Sequence, residues 1–248
     1  MSEPSGKKNQ QEPGEDKHFF VKMPEAPQIG SAEALRHEQQ LLAALKTKGP
    51  RAETLEPLVV FYSRVGQQER AYHYIKLWMK HARSQDELAD CLLLSGQLAE
   101  QVNQPEAAIA FYREGLAHKT ENVAISYYLR NNLAYCLNLR GEYLQALDLT
   151  QQAITLDPSR PNAFKNLGVS LQGLGRYAEA ARAFLKAIHV DVAYPRSLPL
   201  LEQLLAGQRE KVLAEIPDID EQVEACRRAS QTVQSGRFAD WAKGLTLN

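Results

Sequence analysis

The chain is expected to be an all-α superhelical solenoid of stacked helix hairpins closed by helical caps, and three observations lead there. Apolar residues recur at helical spacing from Ser31 onward, and no two segments alternate as paired strands would. Helix-start signals recur as well: Ser84 with Glu87 has capping-box spacing, Asn103 precedes Pro105, and Thr120 precedes Glu121. Finally, the chain matches itself when shifted by 34 residues. Nine residues then coincide, including Asn132 with Asn166, Leu137 with Leu171, Gly141 with Gly175, Tyr143 with Tyr177 and Ala146 with Ala180. Chance at ordinary residue frequencies gives about two.

In chain order, residues 1–30 are polar, rich in Pro, Gly, Ser, Lys and Glu, and predict a disordered tail. Phe19, Phe20, Val21 and Met23 form an apolar cluster within it. Residues 31–50 predict an N-terminal capping helix with Leu35, Leu41, Leu42 and Leu45 on one face, stopped by Gly49 and Pro50. Four repeats follow, at about 52–85, 89–122, 127–160 and 161–194. The earlier ones are stretched: Ala71, Ala108 and Ala146 are 37 and 38 residues apart, so the stretch from Thr120 predicts a first helix about one turn longer. Residues 195–248 predict a C-terminal helical extension. Leu198, Leu201, Leu204 and Leu205 keep helical spacing there, and a further helix capped by Asp220 runs to about Gln234 with Val223, Cys226 and Val233 inward. Phe238 and Trp241 are expected to pack against its end.

The repeat resembles the tetratricopeptide repeat, most clearly in the last copy. Phe164 stands at its first aromatic position, Leu167 and Gly168 at its Leu-Gly pair, Leu171 at its Tyr position, and Ala180, Phe184 and Ala187 in its second-helix signature. Val192 replaces the usual closing proline, whereas the preceding copy keeps Pro158 but has Arg130 and Thr150 where aromatics are expected. The resemblance implies a right-handed superhelical solenoid of tetratricopeptide-like helix hairpins with helical caps. Small residues let the helices approach, and stacked neighbours cover each hairpin's apolar face.

In such a stack the first helix of each repeat lines the inner surface. Leu133 and Leu137 lie on the core stripe, so Tyr128, Asn131, Tyr135 and Asn138, with Asn132 beside them, are expected on the face turned away. One repeat later the equivalents are Asn162, Lys165, Val169 and Gln172, with Asn166 beside them. The asparagine amides, donors and acceptors at once, suit the backbone of an extended peptide, and the resemblance implies that use of the groove. The first two repeats carry Glu53, Glu56, Asp90 and Glu100 at inward positions, which favours a ligand with a basic stretch there and salt-sensitive binding. The family's carboxylate clamp for chaperone tails fits poorly: Asn166 matches, but Asn131 and Tyr135 stand where Lys and Asn are expected, and Arg196 and Leu200 where Lys and Arg are expected.

The function expected is therefore that of a non-catalytic adaptor or scaffold for a protein or peptide partner. The alternatives are a self-associating assembly factor forming a homodimer and an accessory subunit of an enzyme. Twenty-nine basic against thirty acidic residues leave a net charge of -1, so no global field draws nucleic acid or an anionic membrane. No run approaches the roughly 18 apolar residues of a membrane span, nor do the first thirty residues hold a signal-peptide core, which predicts a cytoplasmic protein. Cys91, Cys136 and Cys226 lack CxxC spacing and are expected to pack as small apolar groups; the histidines form no HExxH, so no metal or other cofactor is expected. Catalytic motifs are missing too, and the glycines of QGLGRY, following a helix, read as a turn rather than a nucleotide loop.

Overall fold

A computed structural model describes residues 30–193 and 196–245, the side chains at 234 and 237–245 excepted. Every regular element among the described residues is an α-helix. They are α1 (Ala32–Lys48), α2 (Ala52–Arg64), α3 (Gln68–His81), α4 (Gln85–Gln101), α5 (Pro105–Ala117), α6 (Val123–Leu139), α7 (Tyr143–Leu156), α8 (Pro161–Gly173), α9 (Tyr177–Val190), α10 (Ser197–Leu213) and α11 (Ile219–Leu245). The expected tail, with Phe19, Phe20, Val21 and Met23, lies outside the described residues, as do the side chains of Phe238 and Trp241. The chain divides into two compact units, residues 1–74 and 75–248.

In the N-terminal unit Ser31 caps α1, its Oγ accepting the Ala34 N–H at 3.1 Å. The face of α1 is rotated slightly from the expected one: Leu41, Leu42 and Leu45 are half-buried, but Leu35 is 49% exposed and Ala34 is buried instead. Glu38 fixes this rotation. Its carboxylate accepts hydrogen bonds from the Tyr62 hydroxyl at 2.7 Å and the Arg70 guanidinium at 2.8 Å, while the Tyr74 ring stacks on Tyr62 with centroids 5.4 Å apart.

In the C-terminal unit α4 packs on α5, α6 on α7 and α8 on α9, and the first helices α4, α6 and α8 lie side by side. One local device makes the turns between paired helices. In each, a residue with left-handed backbone follows the first helix, and the next N–H reaches back to a carbonyl of its last turn, as in a Schellman ending. Asn103 (φ 56°), Gly141 (φ 77°) and Gly175 (φ 75°) hold the left-handed position. The bonds are Gln104 N to Ala99 O at 2.8 Å, Glu142 N to Leu137 O at 2.9 Å and Arg176 N to Leu171 O at 2.9 Å. The N-terminal unit repeats it with Gly66 (φ 74°) and Gln67 N to Tyr62 O at 2.8 Å. Asn103, read as a helix start, is thus a helix end, and Pro105 opens α5.

Of the two other start signals, the one at Ser84 holds and the one at Thr120 moves. Ser84 Oγ accepts the Glu87 N–H at 3.1 Å, but the Glu87 carboxylate takes the N–H of Arg83 rather than of Ser84. Asn122 caps α6, its Oδ1 accepting from Ala124 and Ile125 N–H, while Thr120 and the Glu121 N–H bond Asp86 at the start of α4. At 17 residues against 13, α6 is one turn longer than α8. Helix α11 begins at Ile219 and outruns the expected end at Gln234 by eleven residues. Asp220 lies within its first turn, paired with Arg209 rather than capping. Val223 and Cys226 are buried as expected, Val233 only half so.

Two apolar clusters make the core of this unit. One is centred on α4 to α7, with Tyr112, Tyr127, Leu129 and Leu137 sealed; the other on α8 to α11, with Phe184, Ile188, Leu201 and Ile219.

Candidate binding face of the C-terminal unit

The residues expected on the inner face separate into a buried and an accessible set. Asn131, Asn138 and Asn166 are buried, at 4%, 7% and 2% exposure, because α8 lies directly against α6. Their amides bond one another. Asn166 Nδ2 donates to Asn131 Oδ1 at 2.9 Å and to the Asn131 carbonyl at 3.1 Å; Asn138 Nδ2 donates to the Asn166 carbonyl at 3.0 Å. Ser170, one turn past Asn166, closes the ladder by donating to Asn138 Oδ1 at 2.8 Å. Donors expected to be free for a peptide backbone are therefore spent between helices, as buried polar groups require.

Tyr128 and Asn162 are buried as well. The Arg160 guanidinium sits 4.9 Å over the Tyr128 ring and donates to its hydroxyl. Asn132 is half-buried and extends the ladder: its Oδ1 accepts from Asn131 Nδ2 at 3.0 Å, and it hydrogen-bonds the Tyr112 hydroxyl. The accessible set is Tyr135, 39% exposed, with Val169 and Gln172 half-buried. Lys165 bridges the two sets, 8% exposed with its ammonium 5.1 Å from the centroid of the Tyr135 ring.

Titratable groups gather beneath this face. Glu100, near the end of α4, is half-buried, accepts from the Tyr112 hydroxyl and hydrogen-bonds the Cys136 thiol. Burial pushes its carboxyl pKa up, against the pull of those bonds and of Lys165. Cys136, expected to be merely apolar, thus has a polar partner, and burial together with Glu100 raises its pKa. Lys165 is brought down to about 8, first by burial and then by Arg196, with Glu100 opposing. Tyr135 is raised by burial, Glu100 and Cys136, while Arg196 lowers it. Of the expected acidic positions, Asp90 is half-buried in this unit, while in the N-terminal unit Glu53 is exposed and Glu56 half-buried. Sequence reasoning passed over Tyr112, Cys136 and Ser170. The last had a signal, since a hydroxyl four residues after a buried asparagine lies on the same helix face.

No profile of a known protein family matches the chain. A protein of Mus musculus named tetratricopeptide repeat protein 28 is 35% identical over 140 residues, 53% of this chain and 5% of that protein. The chain therefore spans only a small part of the curated relatives it matches. Together with the helix pairs, their turns and the 34-residue period, this likeness places the chain. Its stacked helix hairpins are of the tetratricopeptide type. Solved structures agree in fold. PilW, titled a widely conserved type IV pilus biogenesis factor, aligns with 82% of this chain and 91% of its own at 17% identity and a TM-score of 0.62. YrrB, titled a TPR protein with an unusual peptide-binding site, aligns with 68% and 84% at 18% identity and a TM-score of 0.52. At such identities the likeness is one of fold.

The close approach typical of tetratricopeptide hairpins is visible in side-chain sizes. A Cβ on Gly168 would lie 2.5 Å from the Phe184 ring, and one on Gly96 2.2 Å from the Tyr112 ring. At the same two positions of the intervening hairpin stand Ala134 and Thr150, both buried: where the small partner grows, the large one shrinks.

Proposed function

We propose that this tetratricopeptide-repeat chain is a non-catalytic adaptor that holds a protein or peptide segment against the α4–α6–α8 face of its C-terminal unit. Tyr135 carries the reading. Between Tyr127 and Asn138 it is the one exposed residue, a large amphipathic ring left in water on a stretch of α6 that is otherwise buried or half-buried. Such a ring, beside charged groups and on rigid helices, is what a binding hot spot uses. The fold likeness supports the same reading, since stacked repeats build surfaces of this kind.

Affinity capture from native lysate tests it, comparing wild type with Tyr135→Ala. Proteins recovered by wild type should be reduced about tenfold or more by the substitution, as for a hot-spot aromatic. Equal recovery would remove the face from the binding reaction. An Asn131→Ala, Asn166→Ala double variant answers a different question, because those amides hold α6 to α8.

A second reading, self-association, draws on Leu139 and Leu144, 66% and 70% exposed at the turn between α6 and α7. Light scattering of the purified chain decides it: a monomer favours the adaptor, and a dimer that Leu144→Lys dissociates favours assembly through this edge.

A further inference from the structure

Among the described residues, Lys165 has no anionic partner at bonding distance. More than nine-tenths of the residue is withdrawn from water, yet the ammonium neither hydrogen-bonds nor ion-pairs with any described residue; its contact is the face of the Tyr135 ring at 5.1 Å. A cation–π contact returns only part of what burying an ammonium costs. The second charge that acts on it, Arg196 at the start of α10, repels it and is itself exposed. Glu100 attracts it from the α4 side but is engaged by the Tyr112 hydroxyl and Cys136 thiol. Among the described residues, two cations and one carboxylate around an accessible ring leave the cluster one negative charge short.

We propose that Lys165 and Arg196, with the Tyr135 ring against the ammonium, seat an acidic side chain of the peptide held on this face. This rests on the peptide-binding reading above and names the chemistry of its ligand. A carboxylate would accept from the Lys165 ammonium and the Arg196 fork together, turning mutual repulsion into two charge-assisted bonds. A single negative charge balances the cluster, whereas a phosphate dianion would exceed it. The carboxylate belongs to a side chain rather than a chain end. A chain end at Lys165 would lay its last peptide group along Asn131 and Asn166, whose amide donors are spent on the ladder. A Glu or Asp reaches inward on its own stem and leaves its main chain outside, over Tyr135. Arg196 stands where the carboxylate clamp has a lysine, but Lys165 matches none of its positions and the rest of that set, Asn166 apart, is missing.

The test uses the full chain, immobilised, and acetylated, amidated heptapeptide libraries randomised except at a central Glu or a central Gln. A third library carries no acidic residue but ends in a free carboxylate. The Glu library should be retained about tenfold over the Gln library, roughly one good charged hydrogen bond. That preference should vanish in Lys165→Met, which should melt no lower than wild type, and shrink in Arg196→Gln, whose exposed side chain can be changed without disturbing the core. Equal retention of the Glu and Gln libraries, a stronger free-carboxylate library, or a preference surviving in both variants would overturn the proposal while leaving peptide binding intact. Failure to retain any library, by wild type or variant, would remove the peptide-binding reading and this proposal with it.

Discussion

Gly168 and Phe184 illustrate how single residues set helix distance in this chain. Phe184 is sealed at 0% exposure, so a Cβ 2.5 Å from its ring has nowhere to push it. Gly168→Ala should therefore destabilise the fold by about 1–3 kcal/mol despite the better helix propensity of alanine, as urea denaturation would show; a neutral or stabilising result would contradict the close approach. Lys165 offers the opposite case, a residue the fold would be more stable without. Its pKa is brought down to about 8, so between that value and the ordinary lysine value the unfolded chain holds the extra proton, and the ammonium's cost is relieved as pH rises. Cys136 and Tyr135, raised by burial, pull stability the other way at alkaline pH, so the comparison must be a difference. Lys165→Met should be more stable than wild type by about 1–3 kcal/mol at pH 7, with the gap closing from pH 8 upward. A gap that is constant or widens from pH 8 to 10 would refute the buried ammonium.

Between elements, the seam of α6 and α8 is polar where the clusters on either side are apolar. Asn131, Asn138, Asn166 and Ser170 satisfy one another there, and removing one side chain leaves the polar atoms it bonded without that partner in a dry interface. Asn166→Ala should cost about 1–3 kcal/mol. Because stacked repeats unfold by neighbour coupling, it should speed hydrogen exchange in α8 to α11 more than in α4 and α5. Uniform exchange across both clusters would show that the seam is not where they couple. The turns carry a second element-scale test. Asn103 occupies the left-handed position that Gly141 and Gly175 fill in the other hairpins of this unit. Gly141→Asn should accordingly cost less than Gly141→Ala, which should lose about 1 kcal/mol, in thermal melts read against wild type.

At the scale of the molecule, a bound peptide would meet acidic groups at α4, where Asp90 and Glu100 are half-buried, and basic ones at α8 and α10. Binding to the face should weaken as salt is raised from 0.05 to 0.5 M, by roughly tenfold for a pair of partly exposed contacts, as calorimetric titration would show. Salt-independent affinity would mean that the charges merely border the face. No helix among the described residues is long and apolar enough to cross a membrane.

The helical class, the turn at Gly173 to Gly175 and the kinship of the repeats were legible in the chain because they depend on short-range rules. Helical spacing of Leu133 and Leu137, a left-handed residue after α8, and the small-large pairing at Gly168 and Phe184 all act within one hairpin. What the tertiary structure decided was which polar residues water still reaches. Asn131 and Tyr135 share a face of α6 and read alike in sequence, yet one is sealed and the other open. The same holds for Leu35 and Ala34 on α1, and for Asn122 displacing Thr120 as the cap of α6 once Thr120 found Asp86. Exposure and partnership depend on the rotation and distance of a helix some thirty residues away, and no local pattern encodes that distance until the helices are stacked.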